Sequence, residues 1–220
     1  MLRIRQRVLP LLEQAGRDTM RVPRRTPQRS RRRLDALLRD VPELAVVVDT
    51  FEQPVQRPRG GRVAADPYYS GKHKRHTLKS QVAVDDRAGT VVDVPASVPG
   101  PTHDLRLLKG SGLLVRLGPT IGVLGDLAYV GLAAAHPAGL GATPFRKPRG
   151  QARPPLEAAY NTAFARHRII VEHIIGRLRR YQCLTQADRH HRRLHTERVR
   201  AVAGLVNRAL RTRFPCGFDR

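Results

Sequence analysis

Apolar residues recur at three- and four-residue spacing from Leu156 to Tyr181, through Tyr160, Ala163, Ile170, Ile174 and Leu178. That spacing predicts a long helix with one stripe laid against a core. Thr196–Arg213 shows the same period in Val199, Val202, Leu205, Val206 and Leu210 and predicts a second helix. The run Leu44–Val48 is continuous, apolar and largely β-branched, the pattern of a strand covered on both faces, and it stops at Asp49-Thr50. Thr77–Val84 alternates as a strand, Asp85–Gly89 has turn chemistry, and Thr90–Ala96 reads as a third strand, so the three form an antiparallel meander. Thr120–Gly125 predicts a fourth, buried strand closed by Asp126, and Ala142–Phe145 a short fifth. Pro99–Leu117 reads as loop then helix, with Thr102 as N-cap and Asp104 in the first turn. Short helices are expected at Met1–Leu12 (apolar side Leu2, Leu9, Leu12), at Leu34–Leu38 and within Val130–Gly141. Gln53–Gly61, Arg146–Pro155 and His190–Arg193 are loops, the last two basic.

Charge changes the picture more than any other bulk property. Among 220 residues, Lys and Arg number 41 against 18 acids, a formal net charge of +23. A field of that strength is self-repulsive, and it points to a polyanionic partner. Residues 1–40 hold 12 Arg and 4 acids, with a Pro- and Arg-rich text from Arg21 to Arg33. That segment reads either as an arm that tracks phosphates or as a solvated basic linker. Cys183 and Cys216 are too few for a disulfide framework and fit a reducing compartment. No apolar run approaches the ~20 residues of a membrane span, and charges interrupt any signal-like core at the N-terminus. The expected location is the cytoplasm.

Three acids stand apart from the rest. Asp49 and Asp126 each close an apolar strand, and Glu172 lies off the apolar stripe of its helix, on a face with Ala165, Arg168, Gly176 and Arg179. A carboxylate at the end of a buried strand needs a donor, a cation or a metal. Two such strands side by side would bring like charges together, which raises one pKa or recruits a divalent cation. Mg²⁺ would suit these oxygens, and two such ions about 4 Å apart support phosphodiester cleavage. The plainer alternatives are turn caps for Asp49 and Asp126 and an i,i+4 ion pair between Arg168 and Glu172. Asp104 fits helix capping better than metal ligation. Lys72, Lys74, Arg75 and Lys79 are candidate phosphate contacts, or else a solvated hairpin; Arg168 and Arg179 flank Glu172 and could hold DNA there.

Several blocks carry a resemblance. Asp49–Pro58, Tyr69–Lys79, His103-Asp104, Gly125–Tyr129 and Arg168–Leu178 resemble, in this order, blocks of the Harbinger-like DDE transposases of bacterial insertion sequences. The resemblance implies an α/β fold with an RNase H-like core: a mixed sheet of three antiparallel strands followed by parallel ones, flanked by helices. It implies Asp49, Asp126 and Glu172 as catalytic and metal-binding residues, with Mg²⁺ or Mn²⁺ as cofactor, two ions in all. Its partners would be double-stranded DNA at element ends and target, and a second copy of the chain in an active oligomer. The expected division is a basic arm over residues 1–40, a remnant of a DNA-binding region; a catalytic domain over 41–215; and a tail over 216–220. The family carries an N-terminal helix-turn-helix, and residues 1–40 show no clear helix pair, which suggests a truncated copy or the second half of a frameshifted gene. Two rivals follow: a basic nucleic-acid-binding protein whose acids are structural, and an inactive relic of a transposase.

Overall fold

The computed structural model describes residues 2–22, 45–118, 121–137, 139–150 and 152–213. The Arg-rich text beyond Val22, the expected helix Leu34–Leu38 and the tail lie outside them. Fourteen elements matter here: α1 (Leu2–Arg17), β1 (Ala45–Pro54), α2 (Gly61–Ala65), β2 (Tyr69–Ser70), β3 (Arg75–Asp85), β4 (Val91–Asp93), β5 (Val98–Pro99), α3 (Asp104–Gly110), α4 (Leu113–Arg116), β6 (Gly122–Leu124), α5 (Leu132–Ala135), β7 (Gly141–Ala142), α6 (Pro155–Leu178) and α7 (His195–Arg213). Among the described residues no helix is long and apolar enough to cross a membrane.

The strands form one mixed sheet in the order β2-β3-β1-β6-β7, with β4 and β5 also pairing β3. β1 and β3 are antiparallel, while β1, β6 and β7 run parallel. Alternation along the strands sends side chains to two cores. Val47, Phe51, Val82, Val84 and Leu124 meet α6 and α7 on one face. Val46, Val48, Ala83 and Val123 meet Leu108, Leu113, Tyr129 and Leu132 on the other. This is an α/β fold with helices on both faces of a mixed sheet.

Several boundaries differ from the sequence reading. β1 does not stop at Asp49; it continues to Pro54, because β3 is equally long and pairs it from Val46↔Asp85 to Pro54↔Thr77. The helix expected over Pro99–Leu117 is two, α3 and α4, broken where Gly112 takes a left-handed φ of 69°. His103, not Thr102, occupies the N-cap of α3. On α6 the buried stripe is Ala163, Phe164, Ile170, Val171, Ile174 and Leu178, whereas Leu156 is 74% exposed and Tyr181 36%.

Residues 2–22 do not stand off as an arm. α1 lies on α7 so closely that a Cβ on Gly204 would overlap the Cα of Gly16. Arg200 Nη1 lies 3.1 Å from Glu13 Oε1, and Asn207 Nδ2 donates to Thr19 Oγ1 at 3.1 Å while its Oδ1 accepts from Val91 N at 2.8 Å. One side chain of α7 thus ties α1 to the sheet.

α7 is also pinned through His195, which is fully buried. Gln53 donates its amide to the carbonyls of Cys183 and Gln186 (2.9 and 2.8 Å), so its oxygen faces His195 Nε2 at 2.9 Å and must accept. Nε2 therefore carries the proton, and Nδ1 accepts from Ser97 Oγ at 2.8 Å. Burial, and then the charge of Arg198, lowers the His195 pKa from 6.5 to about 4. The unfolded chain thus takes up this proton first as pH falls. The stability this neutral histidine contributes is complete above pH 6.5 and disappears towards about pH 4, a loss of roughly 3 kcal/mol. Asp49, Asp85 and Asp93 have raised pKa values and act in the opposite sense over part of that range. Urea unfolding of the parent and of His195→Gln across this window isolates the histidine: the difference in their pH slopes should carry it, and equal slopes would contradict it.

Candidate functional site

The candidate site is built on two parallel strands and one helix. β1 and β6 are paired with Val47 opposite Leu124. Asp49, two residues on, shares the sheet face of Val47, which looks toward α6, and Asp126, two residues past Leu124, lies near enough for its charge to act on Asp49. β6 itself ends at Leu124, and Asp126 opens the turn beyond it, its Oδ1 accepting the Ala128 N–H at 2.9 Å. Gly125 permits this turn: the Tyr129 ring lies so close that a Cβ on residue 125 would stand 2.7 Å from Cγ.

Glu172 arrives from the exposed side of α6, with its side chain 56% exposed. Arg168, one turn earlier, joins it to the strands: its Nη2 lies 3.5 Å from Asp49 Oδ2 and 3.4 Å from Glu172 Oε1. The expected i,i+4 pair is present, but it has a third member. Arg168 Nε is buried with no hydrogen-bond partner, so charge holds the guanidinium more than a complete set of bonds does. Among the described residues, no three His, Cys, Asp or Glu side chains surround one point at metal-binding spacing. Two of the three acids, Asp49 and Glu172, therefore meet at an arginine.

Burial raises the pKa of Asp49 to about 6. The Thr50 N–H, donating to Asp49 Oδ1 at 2.7 Å, and Arg168 oppose the rise, whereas the charges of Asp126 and Asp104 add to it. Tyr129 is fully buried beneath the acids; burial, then the nearby charges of Asp104, Asp49 and Asp126, push its phenol well above the usual range and keep it neutral.

Asp104 is more than a first-turn acid. From the opposite sheet face it lies 2.6 Å from Lys79 Nζ and accepts the Thr50 hydroxyl at 3.1 Å. Lys79, expected among the phosphate contacts, is 8% exposed, and its ammonium also bonds the Thr102 carbonyl at 2.6 Å. A buried, paired ammonium is an internal strut and is out of reach of a phosphate. The lysine belongs to the basic run Tyr69–Lys79 by sequence, but β3 pairing turns it inward. Arg168, expected on DNA, is likewise committed to the two acids. Lys72, Lys74 and Arg75 are exposed at the β2–β3 turn, where Lys74 takes φ 53°, and Arg179 is exposed just past the end of α6. The roles of Asp104, Tyr129 and Lys79 were not visible in the sequence because each depends on a partner far along the chain.

The fold is a mixed α/β sheet flanked by helices, and sequence comparison supplies the family. The chain belongs to the DDE superfamily endonuclease family, whose sequence profile matches residues 48–207. It is 32% identical over 165 residues to a protein of Microchaete diplosiphon described as "Probable transposase for insertion sequence element IS702", an alignment covering 75% of this chain and 57% of the relative. The chain thus spans little more than half the length of that relative. No solved structure matches it significantly.

Proposed function

We propose that the chain is a transposase: an endonuclease that cuts double-stranded DNA at the ends of an insertion sequence and a strand transferase that joins the freed end to target DNA. The observation that supports this reading is that Asp126, just past β6, lies near enough to Asp49 on the paired strand β1 for its charge to raise the Asp49 pKa, while Asp49 and Glu172 share the cation Arg168. The strand sequence, an antiparallel β1/β3/β4 group followed by parallel β6 and β7, supports an RNase H-like core.

The donor chemistry fits a divalent cation. All three side chains offer hard carboxylate oxygens, and Asp126 raises the pKa of Asp49, a repulsion that a cation relieves. Asp49, Asp126 and Glu172 would hold Mg²⁺ or Mn²⁺, up to two ions, with Arg168 giving way. Bound there, the metal would lower the pKa of a water and offset charge on the leaving oxygen. The chain's own residues do the rest. The Thr50 N–H and the Ala128 N–H aim the two aspartates. Neutral Tyr129 closes the floor of the site to water. Lys72, Lys74, Arg75 and Arg179 supply exposed positive charge for DNA phosphates. Strand transfer joins paired ends, so the active form is a homo-oligomer, and the site of action is the cytoplasmic DNA.

Incubation with supercoiled plasmid tests the reading: nicking is expected with Mg²⁺ or Mn²⁺ and not with a chelator. DNA bound but uncut under either metal would instead leave a basic DNA-binding protein with structural acids.

A further inference from the structure

The loop between β7 and α6 contains Arg146, Lys147 and Arg149, all exposed and without an ion pair among the described residues. Its placement relative to the acids follows from pairing. β7 lies parallel to β6 with Leu124↔Ala142, and Gly125 N donates to Ala142 O at 3.1 Å. Continued by two residues, that register brings Pro144 level with Asp126, whose charge acts on Asp49. The loop therefore leaves the sheet at the edge that bears the acids.

Its near stem is clamped. Asn161 of α6 accepts from Phe145 N at 2.8 Å and donates to Phe145 O at 3.0 Å, the two bonds a neighbouring strand would make. Arg153, on the far stem, donates to the same carbonyl at 3.4 Å, so both ends of the loop meet at Phe145. The Phe145 ring packs edge-on to Tyr160 at 4.9 Å, and Tyr160 stacks on buried Phe164 at 5.8 Å. Asn161 stands eleven residues before Glu172 on one helix, about 16 Å along its axis. A cationic loop tied at both stems, at that offset from the acids, loses less freedom on binding than a free one would.

We infer that the Arg146–Arg149 loop, held by the Asn161 clamp on Phe145, is a contact surface for the backbone of duplex DNA flanking the acidic site. The inference rests on the proposed action on DNA and gives a role to a loop that the sequence marked only as basic. Its test measures binding of a short labelled duplex by fluorescence anisotropy, in chelator, over a series of salt concentrations. Arg146→Ala/Lys147→Ala/Arg149→Ala should lower the slope of log affinity against log salt by about 2 to 3. Asn161→Ala, which removes no charge, should weaken binding by roughly 3- to 10-fold with an unchanged circular dichroism spectrum. Arg208→Ala, an exposed charge on α7, should bind within about twofold of the parent. A triple variant with the parent's slope, or an Asn161→Ala protein that binds like the parent, would overturn the inference while leaving the DNA reading in place. A parent protein that binds no duplex would overturn both.

Discussion

Asn in place of Asp126 is expected to cut metal-dependent nicking by about a thousand-fold, the several kcal/mol that a correctly held ion supplies, and to leave the melting temperature within a few degrees. The substitution is gentle structurally. Asn keeps an oxygen at Oδ1, so the bond from Ala128 N that opens the turn survives. What changes is charge. One of two adjacent carboxylates is lost, and the neighbouring charge that helps raise Asp49 goes with it, so Asp49 should titrate lower in the variant. Mn²⁺ affinity, measured by calorimetry, should fall with activity, which separates a lost ligand from a misplaced substrate. A folded Asp126→Asn protein that nicks as fast as the parent would remove Asp126 from the catalytic set. Because Asp126 is one of three supposed ligands, the same pair of measurements on Asp49→Asn and Glu172→Gln should rank them by how much each contributes to the ion.

The acids were legible because each sits at a break in a local pattern. A β-branched run ending in Asp49, a second apolar run ending in Asp126 and a helix glutamate off the stripe are all visible in a few residues of text. Where the structure departs, the deciding partner is remote. Whether Thr50–Pro54 is loop or strand depends on β3, whose length offers bonds to a polar stretch that hydrophobicity alone would leave as coil. Lys79 sits in a run of basic residues that reads as a wet surface, yet Asp104 and the Thr102 carbonyl receive it inside. The pair Arg168–Glu172 was readable from i,i+4 spacing, but Asp49 as its third member was not. α1 illustrates another limit of pattern reading. Its apolar side was expected to include Leu12, which is 43% exposed, while the close approach to α7 depends on Gly16 and Gly204, residues that carry no hydrophobic signal.

Asp188→Ala should be the most destabilising single change outside the acidic site, costing about 3–5 kcal/mol in urea unfolding. Asp188 is 6% exposed and Arg198 7% exposed, and Arg198 Nη2 bonds Asp188 Oδ2 directly. The aspartate also accepts from His190 N at 2.9 Å, and its backbone continues the sheet at the end of β1, with Asp188 N donating to Pro54 O at 2.8 Å. Removing the carboxylate takes the Asp188 charge away from a buried guanidinium that cannot shed its proton. The effect should spread to the neighbouring histidine. Asp188 raises the His195 pKa against burial and Arg198, so its loss should push that pKa lower still. The double change Asp188→Ala/Arg198→Met should recover more than half of the lost stability, because an apolar pair of similar bulk can replace a buried ion pair at little cost. A single-mutant cost below about 1 kcal/mol would mean that water reaches the guanidinium and that the pair behaves as a surface bridge. A double mutant no more stable than Asp188→Ala would mean that the shape and backbone bonding of the Asp188 turn, more than its charge, hold α7 to the edge of the sheet.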